Sequence, residues 1–326
     1  MMEMLSRLSE TFGPSGWEGE VRELIGRMIS FPAEKRVDTL GNLIVHKPGK
    51  GKKLLLAAHM DEVGLMVREI DNNGFIRFSL LGKVVTTTLP GSKVRFQDGT
   101  GGVVGYEHTN NHSSKPDVNK LYIDIGMDSK GVEKKIKVGD VAVFDTQFRR
   151  NGDRIFGKAF DDRVGCYILI RLINEITNSP WDCYFVFTVQ EEVGLRGGRT
   201  AGYGIEPDCA ISVDVTGSGD TPKGEEVPMK LGGGVAIKIR DSRMISTSLI
   251  RNRLVEIAEM KKVKYQYEVI ERGTTDGAAI QLIRSGVLTG AVSIPTRYIH
   301  TGCEVCDIQD IVAATYLLKG FLEREL

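Results

Sequence analysis

The chain has little tryptophan, little cysteine and no long apolar stretch. Its 326 residues include two tryptophans and five cysteines, and the cysteines lack the regular spacing of a disulfide framework. No uninterrupted apolar run reaches the length of a membrane span, and the first residues lack the charged-then-apolar pattern of a signal peptide. We therefore expect a cytoplasmic protein that does not contact a membrane.

An excess of charge of either sign is also missing. The 43 basic and 43 acidic residues balance, which leaves no electrostatic footprint for nucleic acid as a partner. Hydrophobic residues make up 41% and charged residues 26%, as in a globular protein with room for a substantial buried core.

The chain shows two kinds of periodic pattern. Helical and strand patterns alternate over residues 1–63 and 155–326, whereas short strand patterns with glycine-rich turns fill residues 64–154. The segment 53–61, with a continuous apolar run over 54–58, is typical of a strand that is covered on both faces. The sequence predicts an α/β fold, in which a small all-β, barrel-like domain is inserted into a discontinuous mixed-sheet domain.

Two adjacent carboxylates, Glu191 and Glu192, stand where a buried strand over 184–189 is predicted to end. Ligands collect at the carboxyl ends of the strands in α/β sheets. Alone, however, the pair is explained equally well as two acids at the start of a helix, where the helix dipole favours negative charge.

Further candidate ligands stand at predicted strand ends or helix starts: His59, Asp161, Asp214 and His300. Singly, each has an ordinary structural explanation as a strand-end histidine, a helix cap, a turn acid or a loop residue. A set of imidazoles and carboxylates without a thiolate suits zinc, cobalt or manganese. Together with Glu192 these residues make five candidate ligands, which is more than the three protein ligands usual for one catalytic zinc ion. They fit a two-metal site with a bridging carboxylate, and Asp61 is placed to accept a hydrogen bond from His59.

Two smaller patterns receive no functional role. Cys303 and Cys306 are interpreted as a buried thiol pair. The histidines of the loop over 108–116 are interpreted as solvated, because no acid or cysteine pattern accompanies them.

Six segments, in this order along the chain, resemble the tetrahedral-type two-metal aminopeptidases, a family that includes glutamyl and leucyl aminopeptidases and members labelled endoglucanase or cellulase M. The segments are Ala57–Gly64, Lys158–Cys166, Glu191–Gly197, Val213–Thr216, Gly273–Asp276 and Arg297–Thr301. The resemblance covers nearly the whole chain. It implies a phosphorylase/hydrolase-like metallopeptidase domain, with the inserted β domain as lid and dimerisation element. It also implies dimers that assemble into a tetrahedral dodecamer.

The resemblance further implies two divalent metal ions, zinc or cobalt. His59, Asp161 and Asp214 would hold one ion. Asp161, Glu192 and His300 would hold the other, so that Asp161 bridges the two.

By the same resemblance, Glu191 would be the general base and Asp61 the acid that orients His59. The implied activity is removal of N-terminal residues from peptides by a water activated by two metals. Three alternatives stay open from the residues: an endoglucanase-type glycoside hydrolase without metal, another metal-dependent amide hydrolase such as a deacylase or carboxypeptidase, and a non-catalytic scaffold. Two tryptophans are few for a glucan-stacking cleft, and a scaffold would not need an intact set of ligands and base.

Overall fold

The computed structural model describes residues 1–107, 116–224 and 227–326. The predicted solvated loop over 108–116 lies, except for its last residue, outside the described residues. The helices are α1 (Met2–Glu10), α2 (Gly19–Met28), α3 (Ser129–Lys135), α4 (Phe160–Glu175), α5 (Arg196–Ile205), α6 (Ser248–Lys261), α7 (Asp276–Gln281) and α8 (Ile308–Leu322), with single 3-10 turns at Thr86–Thr88 and Val118–Lys120. Among the described residues, none of these helices combines the length and apolarity needed to cross a membrane.

The strands belong to one large sheet and one barrel. In chain order they are β1 (Glu34–Val37), β2 (Leu43–Lys47), β3 (Lys53–His59), β4 (Gly64–Ile70), β5 (Ile76–Leu81), β6 (Lys93–Phe96), β7 (Gly101–Tyr106), β8 (Leu121–Asp124), β9 (Val141–Phe144), β10 (Arg149–Asn151), β11 (Arg154–Gly157), β12 (Asp182–Thr188), β13 (Cys209–Gly217), β14 (Val235–Arg240), β15 (Tyr265–Val269), β16 (Leu288–Arg297) and β17 (Glu304–Asp307).

The large sheet is mixed and has eleven strands in the order β1-β2-β12-β3-β13-β16-β17-β11-β10, with β14 paired to β16 and β15 paired to β14. Its centre is parallel, because β12 pairs with β3, β3 with β13, and β13 with β16 in the same direction. The carboxyl ends of these four strands therefore meet at one edge of the sheet.

Helices cover both faces of this sheet, as the apolar run of β3 predicts. Leu54 and Leu56 belong to the larger core, which includes apolar residues of α1, α2, α4, α6 and α8. Leu55 and Ala57 point to the opposite face and belong to a smaller core with α5 and α7. Successive side chains of a strand point to opposite faces, so a strand buried on both sides reads as a continuous apolar run.

The inserted strands β4-β5-β8-β7-β6-β9 close into a barrel around their own apolar core. The mixed α/β sheet with a small barrel confirms the predicted fold class. One helix in this region, α3, was not predicted. It is a single short element, capped by Asp128 at the amide of Gly131 (2.9 Å), and only Val132 of the helix is buried, which is too little to show a helical period.

The sequence also missed β17, which pairs with β16 at Thr296 and Arg297 and with β11 on its other side. Cys306 lies buried in this strand, whereas Cys303 precedes the strand and is exposed. The predicted buried thiol pair is therefore wrong, because the loop that leads into β17 keeps Cys303 at the surface.

Candidate metal centre

Each central parallel strand brings one part of the candidate site to the same edge of the sheet. His59 is the last residue of β3, Glu192 follows β12, and His300 follows β16. Asp214 lies inside β13 and not at its end as predicted, because β13 continues to pair with β16 as far as Gly217. This arrangement is the strand-edge crevice in which α/β proteins bind their ligands.

Asp161 reaches the same place from α4. Its backbone (φ −75°, ψ 103°) and that of Asp162 are not helical, so the helix predicted to open on Asp161 becomes regular only after this pair. The amide of Asp161 donates to Glu304 Oε2 (3.1 Å), and the amide of His300 donates to Glu304 Oε1 (3.0 Å). One carboxylate, Glu304, thus holds the backbones of two candidate ligands.

Five of the predicted side chains come together in two overlapping groups. The ligand atoms of His59, Asp161 and Asp214 all lie within 4.8 Å of one another, and so do those of Asp161, Glu192 and His300. Asp161 belongs to both groups.

The carboxylate of Asp161 divides its oxygens between the two groups. Its Oδ1 is 2.9 Å from His59 Nε2, and its Oδ2 is 3.1 Å from His300 Nε2. His300 Nε2 is also 3.2 Å from Glu192 Oε2, and His59 Nε2 is 3.8 Å from Asp214 Oδ1. One oxygen of the shared carboxylate therefore faces each group, as a bridging ligand requires.

The electrostatics of the cluster call for positive charge. Burial raises the pKa of Glu192 and, more strongly, that of Asp214, and the neighbouring Asp161 raises both further. Burial lowers the pKa of His300, but Glu192 and Asp161 outweigh it and raise this pKa to about 11. Buried carboxylates whose negative charge is not balanced by neighbouring cations are stabilised by divalent metal ions. Carboxylate oxygens together with imidazole nitrogens form a donor set that suits zinc, cobalt or manganese. The residues therefore fit the two predicted ions.

Asp61 is completely buried and accepts more hydrogen bonds than the single one from His59 that the sequence predicts. His59 Nδ1 lies 3.1 Å from the main-chain oxygen of Asp61 and 3.4 Å from its Oδ1. The same carboxylate accepts the amides of Glu191 (3.0 Å) and Glu192 (3.2 Å) and the hydroxyl of Ser15 (2.6 Å). Asp61 thus connects the end of β3 to the turn that carries both glutamates.

Glu191 and Glu192 occupy a turn and not the start of a helix. The main-chain oxygen of Glu191 accepts the amides of Gly194 and Leu195, both at 2.9 Å, and α5 begins only at Arg196. The explanation as helix-start acids is therefore wrong. Burial raises the pKa of Glu191 well above its usual range, and Asp214 and Glu192 add to this effect.

A cavity of about 540 Å³ opens over the cluster. Glu191 lines it but belongs to neither ligand group. Of its described lining residues, the charged ones other than these acids and histidines are all cations: Lys83, Lys238, Arg243 and Arg272. Lys238 is buried and paired with Glu268 (2.7 Å), whereas the other three are exposed.

The barrel contributes one wall of the site. The amide of Val85, in the segment between β5 and β6, donates to the main-chain oxygen of His300 at 3.1 Å. A Cβ atom at Gly82 would lie 2.8 Å from Val63 and 3.3 Å from Glu192, so only glycine allows the barrel segment to approach the site this closely.

Sequence reasoning missed the residues that hold the ligands in place. Glu304, Ser15 and Glu18 are all buried and contact the site residues or the turn that carries them. Glu304 stands four residues after His300 and opens the four-residue strand β17, which is too short to show a periodic pattern. Ser15 and Glu18 lie in a loop, and their partners are far away in sequence.

Comparison with known proteins identifies the family. The model of the M42 glutamyl aminopeptidase family matches residues 41–317. A lysyl aminopeptidase from Pyrococcus furiosus is 34% identical, over 98% of this chain and 96% of its own length. Two solved structures superpose closely.

The first is aminopeptidase APDkam598 from Desulfurococcus kamchatkensis, with a TM-score of 0.95 and 40% identity, covering 99% of this chain and 94% of that one. The second is the TET1 peptidase of Pyrococcus horikoshii, described as assembling into a tetrahedron or an octahedral shell, with a TM-score of 0.90, 30% identity and 99% coverage of both chains. A peptidase family and aminopeptidase relatives overturn the endoglucanase alternative. The chain belongs to the M42 family of metal-dependent tetrahedral aminopeptidases and is a peptide-bond hydrolase.

Proposed function

We propose that this aminopeptidase removes N-terminal residues from peptides at a two-metal centre, with Glu191 as general base. The observation that carries the proposal is the pair of overlapping ligand groups that share Asp161 beneath the cavity. His59 and Asp214 would complete one ligand set, and Glu192 and His300 the other. When bound, two divalent ions would lower the pKa of a water between them and polarise the scissile carbonyl.

The residues of the chain supply the proton transfers. Glu191 lines the cavity without being a ligand, so its carboxylate is free to take a proton from the attacking water. It returns this proton to the departing amine as the carbon–nitrogen bond breaks. Burial raises the pKa of Glu191 above its usual range, which makes its carboxylate a stronger proton acceptor.

Metal removal tests this function. Dialysis against EDTA is expected to lower the hydrolysis of aminoacyl-p-nitroanilides by at least about 100-fold, because Lewis-acid stabilisation is worth several kcal/mol. Addition of zinc or cobalt should restore the activity, and metal analysis of the restored protein should give two ions per chain. Full activity after exhaustive chelation would contradict the proposal.

A comparison of two substrates separates an aminopeptidase from a deacylase or a carboxypeptidase. An exopeptidase that requires the free α-amine should hydrolyse a dipeptide but not its N-acetylated form. Equal rates on both would contradict removal of N-terminal residues.

We also propose that the enzyme prefers an acidic N-terminal residue. Lys83, Arg243 and Arg272 line the cavity and are exposed, and the lining acids are all candidate ligands or the base. A charge-assisted hydrogen bond to the substrate contributes roughly 1.5–3 kcal/mol. The value of kcat/KM should therefore be at least about 10-fold higher for glutamyl-p-nitroanilide than for lysyl-p-nitroanilide. Arg243→Ala and Arg272→Ala should bring the two values of kcat/KM closer together, whereas Arg251→Ala, on α6 and outside the lining of the cavity, should leave their ratio unchanged.

Assembly and location complete the proposal. The TET1 peptidase is described as assembling into a tetrahedron or an octahedral shell, which supports self-association of this chain. We assign the contacts to the inserted β domain (residues 64–154) and expect dimers within a tetrahedral dodecamer, as the sequence resemblance implies. In such an assembly the same domain would act as the lid of the cavity. All five cysteines are free, which agrees with the reducing cytoplasm we expect for this protein.

A further inference from the structure

The turn that carries the two glutamates is held by side chains from the N-terminal part of the chain. The amide of Gln190 donates to Glu18 Oε1 (3.0 Å). The amides of Glu191 and Glu192 donate to Oδ1 (3.0 Å) and Oδ2 (3.2 Å) of Asp61. Three successive amides that have left the sheet are thus satisfied by two carboxylates.

These carboxylates are in turn fixed by the loop between α1 and α2. Ser15 Oγ donates to Asp61 Oδ2 at 2.6 Å, and Glu18 Oε1 also accepts the amide of Gly16 at 2.8 Å. Ser15 is 2% exposed and Glu18 is 4% exposed. The main chain of this loop pairs with the residues after β3, since Ser15 N–H donates to the oxygen of Glu62 (3.3 Å). Loop, strand end and turn form one connected unit.

The contacts of this unit maintain the backbone conformation of Gln190. Its φ of +56° lies in the left-handed region, which non-glycine residues rarely adopt and which surrounding contacts must maintain. The bond to Glu18 is one such contact, and the bond from Arg196 to Gln190 Oε1 (2.9 Å) is another. Gln190 directly precedes Glu191, so a change of its backbone angles would move the Glu191 carboxylate away from the ligands.

We infer that Ser15 and Glu18 are positioning residues of the hydrolytic reaction: through hydrogen bonds they fix the backbone of Gln190–Glu192 and with it the Glu191 carboxylate. Glu18 acts as a hydrogen-bond acceptor and not as a charge. Both residues lie outside residues 41–317, which the family model matches. The inference rests on the proposed function, because it takes Glu191 as the base.

The test compares Glu18→Ala with Glu18→Gln. A glutamine keeps the acceptor oxygen for both amides, whereas alanine removes it. We expect Glu18→Ala to lower kcat by about 10–100-fold, the usual effect of losing a supporting contact or of a shift of about 1 Å at the reacting groups. KM and the content of two metal ions per chain should stay close to wild type. Glu18→Gln should restore kcat to within about threefold of wild type.

The control is Glu23→Ala, which removes an acid that is 72% exposed on α2. It should leave kcat and KM unchanged. If Glu18→Ala does not give folded protein, Ser15→Ala takes its place, because it removes one hydroxyl and no charge; a fall in kcat of about tenfold at constant KM is then expected.

The inference is overturned if Glu18→Ala, or Ser15→Ala in its place, keeps the wild-type kcat, or if Glu18→Gln is damaged as much as Glu18→Ala. These failures are distinct from failure of the proposed function. Full activity of Glu191→Gln would remove the base, and with it the proposed function. A normal Glu18→Ala in an enzyme that depends on Glu191 would remove only the inference.

Discussion

Replacement of Glu191 by glutamine is expected to lower kcat by about 10²–10⁴-fold, the range that a positioned general base contributes. The amide cannot accept a proton from the attacking water. Because Glu191 belongs to neither ligand group, the variant should still contain two metal ions per chain. Steady-state kinetics on an aminoacyl-p-nitroanilide, with metal analysis of the same sample, would measure both effects.

The neighbouring residue provides the matched control. Glu192→Gln makes the same chemical change one residue further along the turn, but it removes the charge of a candidate ligand that lies 3.2 Å from His300. It should lose one ion from the metal content, or require a higher metal concentration for activity. A Glu191→Gln protein that loses metal, beside a Glu192→Gln protein that keeps it, would reverse the division of roles.

Replacement of Asp161 by alanine should have the second large effect. Its two oxygens face His59 and His300 separately, so one substitution removes a ligand from both groups. We expect at most one ion to remain bound and kcat/KM to fall by at least about 1,000-fold, since the charge stabilisation supplied by both ions is compromised. Titration with zinc, followed by calorimetry and by activity, gives the number of sites.

Asp276→Asn controls for the loss of a buried acid near the site. Asp276 is buried beside Thr188 (2.5 Å) and raises the pKa of Glu191, yet it belongs to neither ligand group. This variant should keep two ions. An Asp161→Ala protein with two tightly bound ions would exclude the shared carboxylate.

The polar residues at strand ends were predictable because their pattern is local. His59 follows an apolar run, and the glutamate pair follows another, so each can be placed at a sheet edge from a short window of sequence. That these edges coincide depends on the parallel order of β12, β3, β13 and β16. For that step the sequence offered only the resemblance to a family.

Other features depend on contacts that no short window contains. The strand β17 has four residues, and its conformation is set by pairing with β16 and β11 on either side. Ser15 and Glu18 are polar loop residues whose partners, Asp61 and Gln190, become neighbours only in the folded chain. The prediction that Cys303 is buried failed for the same reason, because the loop around this residue determines its exposure.

The barrel is attached to the catalytic sheet by two strands that are neighbours of each other. Leu65 of β4 pairs with Ala142 of β9, so the chain enters and leaves the insertion at almost the same point. The turn 71–74, between β4 and β5 at the end of the barrel away from this attachment, can change length without altering the spacing between His59 and Asp161. Selection can therefore remodel this turn during divergence while the metal ligands keep their geometry.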